Sequence, residues 1–197
     1  VFVFTTGLTN QYSYTVVNKD IDVMYAGTAE VDNEKTVIIG NCIVTNEGDF
    51  YASMRNKIAQ SNNFYLLQGV EKTKQVKNIL LPQNDYKIYT AAVVAGYAAS
   101  AVNVIGVSAD EKGYKLTALY SIPVNTLTLK TGIVKRQEIP AAIIKQYDKD
   151  GYAGKKGLNA DAKFSAYRLN DGSSILLGDL SRTLNTEKRT LIYKGNI

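Results

Sequence analysis

The sequence predicts a mainly β fold of antiparallel, repeated hairpins, propeller-like in organisation, with a β-sandwich as the alternative. Three observations predict it. Short runs rich in Val, Ile, Thr and Tyr recur at a spacing of roughly 8–12 residues. Residues that tolerate positive φ separate those runs at Asp32-Asn33, Asn46-Glu47-Gly48, Glu111-Lys112-Gly113 and Asn170-Asp171-Gly172. One hairpin shape, an apolar triplet ending in Gly and then a second strand, occurs three times.

In chain order, strands are expected at Val1–Thr5, Tyr12–Val17, Ile21–Ala26, Thr36–Ile43, Phe50–Met54 and Tyr86–Val94. They continue at Val102–Ser108, Tyr114–Tyr120, Thr126–Thr131, Phe164–Leu169, Ser174–Leu180 and Thr190–Tyr193. One helix is expected near 140–150. Pro140 suits a first helical position, Ile144 and Tyr147 share its face, and Gly151 offers a left-handed cap. A weaker helix is expected over Ala52–Ala59. The chain reads as a single β-rich domain over 1–197; both ends run through strand-like sequence, so the expectation is either a removed leader or a start inside a longer chain, of which this would be a fragment.

The three hairpins begin with Val37-Ile38-Ile39-Gly40, Asn103-Val104-Ile105-Gly106 and Ile175-Leu176-Leu177-Gly178, their glycines 66 and 72 residues apart. These glycines are expected at equivalent positions, where neighbouring backbones crowd. The spacing is too long for one blade of about 40–45 residues and too irregular for a strict solenoid.

Composition excludes several chemistries. There is no His and one Cys, Cys42, so His-based triads, His-ligated metals, Cys-rich zinc sites and an internal disulfide are ruled out. Cys42 lies in an apolar run and reads as a small buried hydrophobe. Residues 88–109 carry no charge, but Ala, Gly and Val dominate them; two strands meeting near Ala98-Ala99-Ser100 fit better than a spanning helix. No transmembrane span is expected.

Chemical motifs are sparse. Asp148-Lys149-Asp150-Gly151 begins like a calcium loop and then fails, with Tyr152, Ala153 and Asn159 at the later ligand and glycine positions. Gly151-Tyr152-Ala153-Gly154-Lys155-Lys156-Gly157 has the wrong spacing for a phosphate loop. A carboxylate pair for glycoside hydrolysis could be drawn only from Asp85, Asp148, Asp161 or Asp179. The expectation is therefore no catalytic constellation, no cofactor and no metal.

Charge is uneven: residues 1–110 carry a net −2 and residues 111–197 a net +7. The basic stretch reads as a solvated face or a surface for an acidic partner, with Lys135, Arg136, Lys155 and Lys156 as the partner-binding residues, and not as a nucleic-acid site. The partner would be a protein, the subunits of a larger assembly or an acidic glycan. The 14 tyrosines alternate along strands at Tyr12, Tyr14, Tyr114 and Tyr120, which suits half-buried packing or a recognition surface. Val1–Thr5 or Thr190–Ile197 is expected to pair with something, since open apolar edges invite association: each other in a closed ring, the remainder of a longer chain, or another subunit.

The segment Asn170-Asp171-Gly172-Ser173-Ser174-Ile175-Leu176-Leu177-Gly178-Asp179 with Tyr193-Lys194-Gly195-Asn196-Ile197 resembles blades of uncharacterised cell-envelope proteins of Bacteroidetes. Glu30–Asn41 with Gly48-Asp49-Phe50-Tyr51-Ala52 is similar to another blade of that family. The resemblance covers about half the chain and implies an exported, propeller-like protein in the periplasm, at the outer membrane or secreted. The Asp-Gly turn also echoes the Asp-box hairpin of sialidases, without its aromatic residue. Two functions follow: a non-enzymatic envelope scaffold or accessory subunit in protein–protein assembly, or a secreted carbohydrate-binding or carbohydrate-cleaving module.

Overall fold

The computed structural model describes residues 2–6, 11–30, 37–56, 63–83, 85–96, 98, 100–110, 115–148, 153–154, 157–158, 161–168, 174–186 and 189–196. It is mainly antiparallel β, as the alternating runs predict. Strands β1 (Phe2–Thr6), β2 (Gln11–Val17) and β3 (Val23–Glu30) form the first sheet, in chain order. Strands β4 (Val37–Val44), β5 (Phe50–Asn56), β6 (Phe64–Val70) and β7 (Gln75–Leu80) form a second, again in chain order.

The third sheet is built on β8 (Lys87–Ala95), β9 (Ala101–Ala109) and β10 (Leu116–Asn125). Its β10 edge pairs with β11 (Lys135–Glu138) and, through a single residue pair, with β13 (Gly157–Leu158), which pairs with β12 (Ala153–Gly154). A last hairpin sheet holds β14 (Asp161–Arg168), β15 (Ser174–Thr186) and β16 (Arg189–Asn196). The terminal strands pair within their own sheets, β1 with β2 and β16 with β15. Residues 88–109 form β8 and β9 rather than a helix, and no described helix is long and apolar enough to cross a membrane.

The sheets pack in the order in which the chain makes them. Tyr12, Tyr14, Val16 and Tyr25 of the first sheet pack on Phe50, Ala52, Met54 and Leu67 of the second. The other face of the second sheet puts Tyr51, Phe64 and Leu66 against Ile88, Val93, Val104, Tyr120 and Ile122 of the third. Strand β14 then lies against β8 and β9. The first strands of successive sheets are neighbours: β1 beside β4, β4 beside β8, and β8 beside β14.

Several expectations are corrected. Ala52–Asn56 belongs to strand β5 and not to a helix. Phe50 to Met54 are all buried, so a strand covered on both faces looks like an unbroken apolar run, which periodicity alone cannot tell from a helix. Residues 57–59 of that expected helix lie outside the described residues. Thr126–Thr128 form a turn, and only Thr131 makes a lone bridge, to Val124. The helix, α1, spans Ala141–Asp148; Pro140 precedes it, and its carbonyl accepts from the amides of Ile143 and Ile144. The expected cap at Gly151 lies outside the described residues.

The three glycine-ending segments each open a hairpin, β4–β5, β9–β10 and β15–β16. Their glycines are not equivalent. Gly40 lies mid-strand within the register shift of β4 and β5, Gly106 lies three residues from the turn end of its hairpin, and Gly178 lies at the open end, opposite Phe164 of β14.

Five of the described tyrosines are deeper than half-buried. Tyr12, Tyr14, Tyr25, Tyr51 and Tyr120 belong to the core, which removes them from any recognition surface. Backbone carbonyls receive two of these hydroxyls: Tyr25 donates to Gly48 at 2.9 Å and Tyr120 to Thr90 at 2.6 Å. Tyr114 lies outside the described residues.

Candidate partner and ligand surfaces

Two of the four expected partner-binding residues, Lys155 and Lys156, lie outside the described residues. The other two, Lys135 and Arg136, are adjacent on β11. Successive side chains of a strand point to opposite faces, so one flat partner cannot meet both. Arg136 stands opposite Tyr120, on the face that packs toward the second sheet. Its Nε donates to Ser108 Oγ at 3.3 Å and its Nη2 to Thr117 Oγ1 at 3.0 Å, and the guanidinium lies 5.7 Å from the Tyr86 ring centroid. Burial pushes the Tyr86 hydroxyl pKa up, while Arg136 pulls it the other way. The side chain expected to meet a partner thus bridges three residues of its own chain.

Lys135 stands opposite Ser121, on the other face. There, two cross-strand rows run over β9, β10 and β11: Ile105–Ser121–Lys135 and Val107–Leu119–Gln137. All of these but Val107, together with Asn103, Gly106 and Tyr120, border an open groove of about 250 Å³. Leu119 and Ile105 supply apolar surface, and Asn103, Ser121, Lys135 and Gln137 supply the polar groups. This site was not legible in advance. Lys-Arg-Gln-Glu carries no β-propensity signal, and the groove exists only once β11 pairs with β10.

A second surface lies at the end of the molecule where β2 turns into β3, β4 into β5 and β6 into β7. Hydrogen bonds link these turns: Tyr25 Oη donates to the Gly48 carbonyl and the Glu71 amide donates to Asp49 Oδ1 at 2.8 Å. Gln68 Nε2 donates to the Thr126 carbonyl at 2.8 Å, which joins the loop after β10 to the same end.

Two asparagines brace the loops of this end. Asn18 Oδ1 accepts from the amides of Asp20 and Asp22, both at 2.9 Å. Asn125 Oδ1 accepts from the amides of Leu127 at 3.0 Å and Thr128 at 2.9 Å. Each braced loop exposes an aliphatic side chain, Ile21 at 77% and Leu127 at 83%. Val23 and Met24 extend the apolar surface beside Ile21. Ile21 has φ 69°, a left-handed conformation that a β-branched residue seldom adopts and that costs on the order of 1–3 kcal/mol.

Among the described residues, the remaining candidates bring no chemistry together. Burial pushes the Cys42 thiol pKa up, which disfavours the reactive thiolate. Asp85 is exposed, and for Asp148, Asp161 and Asp179 the description covers the backbone. Among the described residues no group of three or more His, Cys, Asp or Glu side chains is placed to hold a metal ion. No family model matches the chain, nor does any curated protein or solved structure.

Proposed function

We propose that the chain is a non-enzymatic, β-rich scaffold or accessory subunit that docks a protein partner on the end carrying Ile21 and Leu127. The supporting observation is that two separate loops, each braced by an asparagine carboxamide, hold an aliphatic side chain in water on the same end of the fold. Apolar anchors fixed before binding lose little entropy when they dock. Strain at Ile21 fits this reading, because unfavourable backbone conformations persist where function uses them.

The same proposal takes the stacked sheets as propeller-like blades. Meandering sheets in chain order, with their first strands side by side, support it. An extracytoplasmic location is proposed on the resemblance to cell-envelope proteins.

The test is the size of the protein's assembly, by chromatography with light scattering on extract from its native cells, at low and high salt. Contacts made by aliphatic anchors are expected to survive high salt, which screens exposed charges beyond about 3 Å at 1 M. A monomer-sized species at both salt concentrations counts against the proposal.

A further inference from the structure

We infer that the groove on β9, β10 and β11 is a ligand site for an acidic sugar unit, a hexuronate ring presented at a chain end. This is a site separate from the loop end. Its polar inventory is specific. Lys135 is the one ionised side chain among the described lining residues, and its ammonium favours an anion. Around it stand two carboxamides, Asn103 and Gln137, and one hydroxyl, Ser121, each able both to donate and to accept. That is the complement of a ring bearing hydroxyls and one carboxylate. Leu119 and Ile105 offer apolar surface for the C–H face of the ring.

Size and openness agree. A volume of about 250 Å³ falls just below the roughly 300–1,000 Å³ of sites that enclose drug-sized molecules. One ring fits, with its substituents reaching solvent. An acidic peptide, whose backbone amides could also satisfy the carboxamides, is the competing ligand that the experiment below includes. The backbone of the site is fixed: Asn103 and Ser121 lie on the central strands β9 and β10, and the pairing Ser121↔Lys135 roots the lysine stem beside them.

The experiment titrates the full chain with glucuronate- and galacturonate-terminated oligosaccharides, with the neutral glucose and galactose analogues, and with an acidic tetrapeptide. Binding is read by calorimetry and by NMR shifts. The site predicts that a uronate oligosaccharide binds and perturbs Asn103, Ser121 and Gln137, and that its neutral analogue binds about tenfold more weakly. Lys135→Gln should reduce uronate affinity about tenfold without affecting the neutral sugar, and Leu119→Asp should weaken both. Circular dichroism and thermal melts establish that each variant is folded; Lys135→Arg, which keeps the charge, is the second variant and should retain uronate binding. The inference is overturned by no uronate binding at millimolar concentration, by equal affinity of Lys135→Gln and the parent, or by binding of the peptide alone. None of these outcomes affects docking at Ile21 and Leu127.

Discussion

The carboxamide of Asn41 pairs with the backbone of Val93 as a neighbouring strand would: its Nδ2 donates to the Val93 carbonyl at 2.8 Å, and its Oδ1 accepts the Val93 amide at 2.6 Å. Asn41 lies on β4 and Val93 on β8, the first strands of two successive sheets. Backbone groups at a sheet edge must find partners or water. Here a side chain supplies both bonds and locks one sheet against the next. Gly40 makes room for this, because a Cβ there would fall on Ser53 Oγ, which itself reaches Asn41.

Asn41→Ala removes both bonds and leaves the amide and carbonyl of fully buried Val93 without them. The expected loss is about 1–3 kcal/mol in chemical denaturation. Amide exchange at Val93 should accelerate in the variant while exchange at Val104, inside the third sheet, stays slow. Unchanged stability and unchanged Val93 exchange would remove Asn41 from its role between the sheets.

Gly106 faces a similar demand. A Cβ there would run into the Thr90 carbonyl and would stand 2.8 Å from the Tyr120 hydroxyl that donates to that carbonyl. Backbone cannot yield as a side-chain tip can, so Gly106→Ala is expected to cost about 3 kcal/mol or more. Gly132→Ala is the control: the new methyl would lie 3.0 Å from Pro123 Cγ at an exposed position, and a cost below about 1 kcal/mol is expected. Thermal melts of the two variants decide the point, and equal stability would refute the crowding at Gly106.

The buried tyrosines give stability a pH dependence. Burial raises the hydroxyl pKa of Tyr12, Tyr25 and Tyr120, with the Asp49 charge adding to it at Tyr25. A folded-state pKa above the unfolded value of 10.0 means that the fold favours the protonated phenol. The contribution is therefore full below pH 10 and is lost as pH rises above it. Denaturant midpoints should be flat from about pH 7 to 9 and fall beyond pH 10. Tyr120→Phe should lower stability at neutral pH by about 1 kcal/mol and make the alkaline decline shallower. A parent protein with no alkaline decline would contradict the buried placement of these hydroxyls.

Hairpin runs were legible because β-branched residues and Tyr alternate between Asn, Asp and Gly turns, as in β2 and β9. Strand β6 was not, since Phe64, Leu66, Leu67 and Gln68 are buried on both faces and show no alternation. Three glycines each lie under a cross-strand ring, Gly27 under Tyr14, Gly69 under Phe50 and Gly106 under Tyr120. These pairs depend on strand register, which local sequence does not encode. The two surfaces share that origin. Lys135 was singled out by charge, but its separation from Arg136 follows from the pleat. Asn18 and Asn125 are turn residues by type, yet only the stacked sheets bring their loops to one end.

The docking surface itself is tested most directly by quantitative co-purification from native cells with three forms of the chain: the parent, the double variant Ile21→Asp with Leu127→Asp, and Leu80→Asp. Leu80 is 56% exposed and pairs with Tyr65, toward the other end of the second sheet. Substituting exposed aliphatic residues should lower stability by no more than about 0.5 kcal/mol, and thermal melts verify it. One set of proteins should follow the parent and Leu80→Asp equally and be depleted at least tenfold with the double variant. The same set recovered with all three forms, in equal amounts, would contradict it.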